Sequence, residues 1–482
     1  MKHRRLIATL MLATSSCLAS ADDFQNRVQF SVPEIGSGVG LIDQHKERMI
    51  GEKVYRQVQK QMPVLHDPWL EDQLYFSFSH ILSQTQLAQE PVGLVLINDP
   101  QINAFAVPGG LFALNTGMIT AAKRMDEVAS VMAHEIAHVT QRHYSRSQEA
   151  FKGQGLLSMA GILVGALVAS QADGDVGAAV MMGSQAAMVD RQLSYSRDQE
   201  READRIGMQY MYAAGYNPHG MADFFEIMHR ATSRVSFIPD FWYTHPLTTE
   251  RMSEARLRAS QLPQQKSPLN DENFEVLRWY SKVLAGQTTE DELKLMSGRG
   301  VLAAEFALSK FYIQQGDFTK AQYFLNQAKA RSSVGNSNLI VILQTDIYLG
   351  QKAYPLAHQA IRQSAVLMPE NRALVLKQAE VLVRMGKPEQ AQPLLQRFLR
   401  QNSRDVSALQ LMFQAANAEP ASPLKAVNVL RHRAELEFWT GNEEEAIKSM
   451  LHAERLSKNN QAMSAQIKQR LKEMQQDRRY KI

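Results

Sequence analysis

Apolar and polar positions follow three different rhythms along the chain. Between residues 91 and 119, "PVGLVLINDPQINAFAVPGGLFALNTGMI" carries short β-branched and apolar runs broken by Asp99-Pro100 and Pro108-Gly109-Gly110. Runs of that length between turn residues predict a small sheet. The stretch after it, "EVASVMAHEIAHV", has the helical period, with Asp126 placed to cap its start. A second strong helix is predicted from about Asp198 to Ala214, closed by Gly215 as a left-handed residue with Pro218 soon after.

From about residue 300 the pattern becomes one of helix pairs. A turn glycine is followed five residues later by alanine at Gly316 and Ala321, Gly386 and Ala391, and Gly441 and Ala446. Gly350 joins the series with a two-residue insertion, because Tyr354 and Ala357 keep their mutual spacing and Pro369 stands twelve after Ala357. The glycines at 316, 350 and 386 are 34 and 36 residues apart, which is the tetratricopeptide period. The longer interval to Gly441 leaves room for a degenerate repeat around residues 404 to 430. Small alanines let paired helices pack closely, and stacked pairs share a core that none makes alone. A solenoid of this kind offers a concave protein-binding surface; a generic α-helical domain is the plainer reading.

A third rhythm is continuous apolarity, from Gly155 to Ser170 in "GLLSMAGILVGALVAS". The run is short of the roughly 20 residues that a spanning helix needs. With the small-residue run "VGAAVMMGSQAAMV" after it, residues 155–188 are expected to form a helical hairpin packed through Gly and Ala. A mobile flap near a site, or a peripheral membrane contact, is the functional alternative.

Length changes this picture by requiring more than one core, since 482 residues predict two or three domains. The expected division is a signal peptide at 1–21, a first folded domain at 22–265, a helical connection at 266–300 and a tetratricopeptide-repeat domain at 301–482. The net charge of +4 is slight, and Lys2, Arg4 and Arg5 contribute three of its positive charges. No basic block interleaved with aromatics occurs, so a nucleic-acid partner is not expected. Those three cations, an apolar run and Ala19-Ser20-Ala21 make a leader with an A-x-A cleavage site. Cys17 would fit a lipoprotein, but Thr14 stands where leucine is usual. Cleavage after Ala21 removes Cys17, the one cysteine of the chain, which suits an oxidising compartment and excludes cysteine ligands and nucleophiles.

The candidate chemistry lies in "VMAHEIAHVTQRH", residues Val131 to His143. Positions four apart share a helix face, so His134 and His138 can direct two imidazoles at one zinc ion. Glu135 stands beside that face, placed to act as general base toward a water without being a ligand. Burying two unpaired histidines and a glutamate in so apolar a helix is costly unless something coordinates them; histidines satisfied within a core are the alternative. A catalytic zinc needs a third protein ligand. Glu200, in "SYSRDQEREADRIGMQYM", is the candidate, with Asp204 one turn on to hydrogen-bond the far nitrogen of a ligand histidine. An exposed carboxylate pair among Arg197, Arg201 and Arg205 is the other reading. Glu202 is expected to face elsewhere as a solvated charge, and His143, off the ligand face, to face solvent or a carboxylate.

The segments "NAFAVPGG", "HEIAH" and "EREAD", in that order, resemble the gluzincin metallopeptidase family of the CAAX prenyl proteases and the bacterial heat-shock membrane protease. The resemblance covers roughly residues 45 to 260. It implies one Zn2+ held by His134, His138 and Glu200, with Glu135 as catalytic base. With the repeats read above, it gives the fold class: mainly α, with a zincin-like α+β metallopeptidase domain and a small sheet, followed by an α-helical repeat solenoid. The chain lacks the transmembrane helices of that family and adds a leader and repeats, a combination similar to its periplasmic branch. That similarity implies outer-membrane β-barrel substrates, including the lipopolysaccharide-transport barrel, the barrel-assembly machinery as a partner of the repeats, and a chaperone-like, quality-control role. An assembly adaptor with a largely silent peptidase site is the alternative function.

In "DFWYTHPLTTERM", His245 precedes a proline on an expected loop, and the family has a histidine in a comparable segment. Two roles stay open: stabilising the oxyanion, or occupying the fourth zinc position and holding the enzyme off. A structural loop histidine is the third reading. "INAFAVPGG" is expected to be an edge strand to which an extended peptide can add, with Asn103 either touching substrate backbone or capping a turn.

Overall fold

The alternating strands form the expected sheet. The computed structural model describes residues 44–90, 92–150, 197–232, 245–332 and 337–480. The expected leader at 1–21, the expected hairpin at 155–188 and the aromatic residues just before His245 lie outside the described residues. Strands β1 (Gly93–Ile97), β2 (Ala104–Val107) and β3 (Leu111–Asn115) lie in the order β1-β3-β2. β1 runs parallel to β3, with Leu94 beside Phe112, and β2 runs antiparallel, with Phe105 opposite Ala113. Pro108-Gly109-Gly110 joins β2 to β3; φ is +86° at Gly109 and +81° at Gly110, values that glycine adopts without steric cost. β2 is therefore an edge strand of the sheet.

The period-2 alternation divides the sheet into two apolar faces. Val95, Ile97, Phe105, Val107, Leu111 and Ala113 pack on Ile50, Val54 and Val58, which recur every four residues along helix α1 (Gln44–Gln61). From the other face, Phe112 meets Phe78 of α2 (Pro68–Leu82), ring centroids 4.8 Å apart. α2 starts sharply because Asp67 accepts a hydrogen bond from Leu70 N at 3.0 Å and Pro68 follows it.

After α3 (Thr116–Ala121) comes α4 (Met125–Thr140), the helix of the two histidines. Arg124, not Asp126, is its N-cap. Asp126 lies inside the first turn and accepts instead from Asn217 N at 2.8 Å, while the Glu127 carboxylate accepts from the Lys123 and Arg124 amides and closes the helix start. Every residue from Met125 to His138 is buried, so α4 is a central helix with no solvent face. Around it stand α5 (His143–Ala150), α6 (Arg197–Ala213), α7 (His219–Thr232) and α8 (Thr249–Ser260). α6 ends as expected, with Gly215 at φ +86° and Tyr216 N donating to Met211 O. It approaches α4 closely: a Cβ on Gly207 would lie 3.0 Å from the backbone of Ala133 and His134.

The remainder is helical. α9 (Asp271–Leu284) and α10 (Glu290–Gly298) precede ten antiparallel helices: α11 (Leu302–Gln315), α12 (Phe318–Arg331), α13 (Ser337–Gly350), α14 (Tyr354–Leu367), α15 (Arg372–Arg384), α16 (Pro388–Gln401), α17 (Val406–Ala418), α18 (Lys425–Trp439), α19 (Glu443–Leu456) and α20 (Gln461–Arg479). The turn glycines at 316, 386 and 441 have positive φ, and Ala321, Ala391 and Ala446 are fully buried between helices. Gly350 departs from expectation. The left-handed residue of its turn is Lys352, at φ +59°, so the two inserted residues lengthen the corner. Gly350 is a glycine for a different reason, since a Cβ there would run into the Phe318 ring. The interval before Gly441 holds α17, and Pro420 and Pro423 separate it from α18.

α1 and α2 carry the sheet on one side and the repeats on the other. Arg56, 2% exposed, donates from Nε to Glu443 Oε1 at 2.8 Å and lies over the Phe438 ring, 4.5 Å from its centroid. Arg372 pairs with Glu71 at 2.8 Å, and Asp72 accepts from Ala373 N at 2.9 Å at the start of α15. Among the described residues no helix is long and apolar enough to cross a membrane.

Candidate metal centre

α4 and α6 supply the site because each places two groups one helical turn apart on the face turned to the other. His134 and His138 come from α4, Glu200 and Asp204 from α6, and His245 from the segment entering α8. His134, His138, Glu200 and His245 are all buried and offer ligand atoms within 4.8 Å of one another. His134 Nε2 lies 2.9 Å from His138 Nε2, 3.3 Å from His245 Nδ1 and 3.5 Å from Glu200 Oε2. His138 Nε2 is 3.4 Å from Glu200 Oε1, and His245 Nδ1 is 3.1 Å from the same oxygen. A tetrahedral ion with ligands at about 2.0–2.1 Å holds them about 3.3–3.5 Å apart, so these separations are close to what an ion requires.

Proton accounting supports the same conclusion. His134 Nδ1 lies 3.0 Å from Asp204 Oδ1, off hydrogen-bond geometry; a proton on that nitrogen faces the carboxylate and leaves a lone pair on Nε2. That lone pair faces His138 Nε2, His245 Nδ1 and a carboxylate inside a site closed to water. The group is built to hold a positive charge. Without an ion, the proton on His134 is the nearest substitute: burial opposes its charge, but Asp204 and Glu200 overcome burial and bring the ring up to about 9. Burial and the neighbouring His134 hold His138 well below its ordinary value. Burial also opposes the charge on Glu200, yet His245 and Arg251 hold its carboxyl well below the usual range.

Glu135 lies beside the four donors, not among them. Its Oε1 is buried without a hydrogen-bond partner and lies 3.4 Å from His245 Nε2. Burial raises its carboxyl above the ordinary value against the pull of His245 and His134, and the Ala106 backbone of β2 helps to hold it. Asp204 faces the far nitrogen of His134 at 3.0 Å, without the hydrogen-bond geometry expected of it.

One expectation needs correction, and another held in one of its two forms. Glu202 is not a solvated charge: its Oε2 lies 3.0 Å from His143 Nε2 and 2.9 Å from Arg146 Nη1. His143 does face a carboxylate, as one of its two alternatives held, but it is fully buried, with Nδ1 2.9 Å from His138 Nδ1. Arg251 was not singled out in the sequence at all. It is 4% exposed and grips Asp204 with Nε and Nη2 at 2.7 Å each, while Nη1 reaches Glu200 Oε2 at 2.8 Å and the Pro246 carbonyl at 2.9 Å. No periodic signal connects it to α6; a lone arginine six residues after His245 was the available hint. Asn103 is buried, and its carbonyl accepts from Asn115 N at 3.0 Å.

Known proteins are similar to this chain. The sequence profile of peptidase family M48 matches residues 68–259, which contain every residue of the site. The beta-barrel assembly-enhancing protease of Yersinia pestis is 30% identical over 423 residues, 85% of this chain and 86% of that protein. Its namesake in Escherichia coli (strain K12) is 29% identical over 86% of this chain and 85% of its own length. The mitochondrial metalloendopeptidase OMA1 of Schizosaccharomyces pombe is 29% identical over 192 residues, 39% of this chain and 54% of its own. With a relative of that identity along most of its length and a paired-histidine centre inside the matched region, the chain belongs to peptidase family M48 and is a metallopeptidase.

Proposed function

We propose that this chain is a periplasmic, zinc-dependent endopeptidase that degrades misassembled outer-membrane β-barrel proteins and assists the assembly of others. The closed four-donor group carries the chemical part of this reading. In it, His134, His138 and Glu200 are the zinc ligands, Asp204 orients His134, and His245 closes the set in the resting enzyme, so that cleavage waits on its withdrawal. When bound, zinc supplies a Lewis acid that polarises a peptide carbonyl and makes water a stronger nucleophile. Glu135 would take the proton of an attacking water; its raised carboxyl is nearer the working pH of a general base than an ordinary glutamate. An extended substrate adds to β2, the edge strand beside α4, through main-chain hydrogen bonds. The oxyanion role for His245 is the second reading, and its Nε2 near Glu135 favours it.

The location and clients rest on other support. The leader at 1–21 points to export, and the printed names of the bacterial relatives speak of β-barrel assembly. We read residues 22–265 as the peptidase domain, 266–300 as the connection and 301–482 as tetratricopeptide repeats that receive barrel substrates and the barrel-assembly machinery. A cavity of about 340 Å³ between the start of α2 and the repeats, lined by Trp69, Lys310, Ile342, Leu376, Lys377 and Leu411, suits an amphipathic peptide. Residues 155–188 are proposed as a peripheral membrane contact. Replacing Glu135 by Gln and following both degradation of a stalled barrel precursor and assembly of a normal one tests the reading. Lost degradation with zinc retained is expected; unchanged degradation refutes the mechanism, and degradation absent from the native protein while assembly proceeds favours the adaptor.

A further inference from the structure

His143 is fully buried, at 0% exposure, and none of the roles above falls to it. Its position follows from a break in the backbone. On an uninterrupted helix a residue five after His138 would lie about 140° around the axis from it. α4 instead stops at Thr140, Arg142 takes a left-handed conformation at φ +52°, and α5 begins at His143. Such a φ is uncommon for a residue with a side chain, and here it returns the His143 ring to His138. Gln199 of α6 holds the turn by donating from Nε2 to the His143 carbonyl at 3.2 Å.

The ring contacts form a directed chain. His138 turns Nε2 to the four-donor group and Nδ1 to His143 Nδ1 at 2.9 Å, with the two rings at 79°. A bond between two imidazole nitrogens requires one donor and one acceptor. With its lone pair on Nε2 committed to the metal side, His138 carries its proton on Nδ1 and donates it. His143 therefore accepts at Nδ1 and carries its own proton on Nε2, which Glu202 Oε2 accepts at 3.0 Å. Arg146 Nη1, 2.9 Å from the same oxygen, keeps that carboxylate ionised and in place. Each link admits one orientation. The usual partner of a ligand histidine is a carboxylate or a carbonyl directly; here a second imidazole is interposed, and the carboxylate sits near the surface.

We infer that His143, backed by Glu202 and Arg146, is a positioning residue that fixes the tautomer and ring angle of His138 as a metal ligand. The inference rests on the metallopeptidase reading above and adds to it the group that holds the second histidine. His134 has Asp204 for this purpose; His138 has a relay through His143.

The test is Zn2+ affinity of the full-length chain by competition with a chelator, with visible absorption of the Co2+-loaded protein as a second readout. His143→Ala is expected to weaken zinc binding about 10–100-fold and to shift the cobalt bands. His143→Asn, whose side-chain oxygen can accept near the place of Nδ1, should restore most of both. Glu202→Ala should weaken zinc binding in the same direction. Since Glu202 is only half-buried, that variant carries the test if His143→Ala does not fold. Wild-type zinc affinity and cobalt spectrum in both His143→Ala and Glu202→Ala, whatever their melting temperatures, overturn the relay. With His134→Ala losing zinc in the same assay, that result leaves the metal centre standing. A native chain that takes up no zinc overturns the centre and the relay together.

Discussion

Replacing Arg251 by Leu tests whether the site depends on a charge that no motif announces. The guanidinium makes two 2.7 Å bonds to Asp204 and one 2.8 Å contact to Glu200, all inside a group closed to water. Leucine keeps apolar bulk beside Phe225, over whose ring the cation now lies at 5.2 Å, but it leaves two buried carboxylates without their shared partner. Breaking a buried ion pair from one side costs about 3–5 kcal/mol. For a folding unit the size of the matched region, each kcal/mol moves the melting midpoint by about 2–4 °C, so a fall of about 6–20 °C is expected. The assay is calorimetry on chelator-treated protein, where no ion substitutes for the lost charge. Arg251→Lys should recover only part of the loss, because an ammonium supplies the charge but not the planar fork that meets both Asp204 oxygens. A midpoint for Arg251→Leu within about 2 °C of the native protein, less than 1 kcal/mol on this scale, would refute the claim that Arg251 is the counter-charge of the site.

Three further outcomes follow from the packing and charge of the chain. Gly207→Ala forces a methyl group against the backbone of Ala133 and His134; the expected cost is about 1–3 kcal/mol, and zinc content should fall with the midpoint as Glu200 is pushed from the histidines, so unchanged zinc content would count against this account. Arg56→Leu strips Glu443 of its partner at the contact between α1 and the repeats, and the calorimetric profile should shift and broaden toward lower temperature; an unaltered profile would show that the pair is not what joins them. His432, remote from the site, is held down to about 4 by burial and by Arg431. It stays neutral in the fold, so stability falls as pH drops below about 6.5, where the unfolded chain gains the proton, and the loss stops growing below about 4, at about 3 kcal/mol. His432→Gln should flatten that part of the stability curve, and an identical curve would refute the assignment.

How much of this was readable in the residues depends on how local each signal is. Helical period and a four-residue spacing are properties of one helix, so His134 and His138 were legible as a pair, as was the second pair, Glu200 and Asp204. The turn glycines at 316, 386 and 441 were legible because a left-handed corner suits glycine whatever surrounds it. Gly350 was misread because its glycine answers to the Phe318 ring, a contact between helices, while the left-handed position fell to Lys352. Asp126 was misread as a cap because the choice among Arg124, Asp126 and Glu127 was settled by Asn217, ninety-one residues away.

The sequence by itself determined the small sheet, the succession of helices, the paired-histidine motif and the candidate third ligand. These depend on periods of 2 and 3.6 residues and on groups within one turn of each other. Only the tertiary structure decided that α4 and α6 face each other at glycine distance, that His245 completes a closed group of four, and that Arg251 neutralises Glu200 and Asp204. It also decided the fate of His143, which the helical period sends away from His138 and a left-handed Arg142 brings back. The physical reason is common to all of these: a buried charge or lone pair must be matched by whatever group the fold brings within about 3 Å, and that partner need not be a neighbour in sequence.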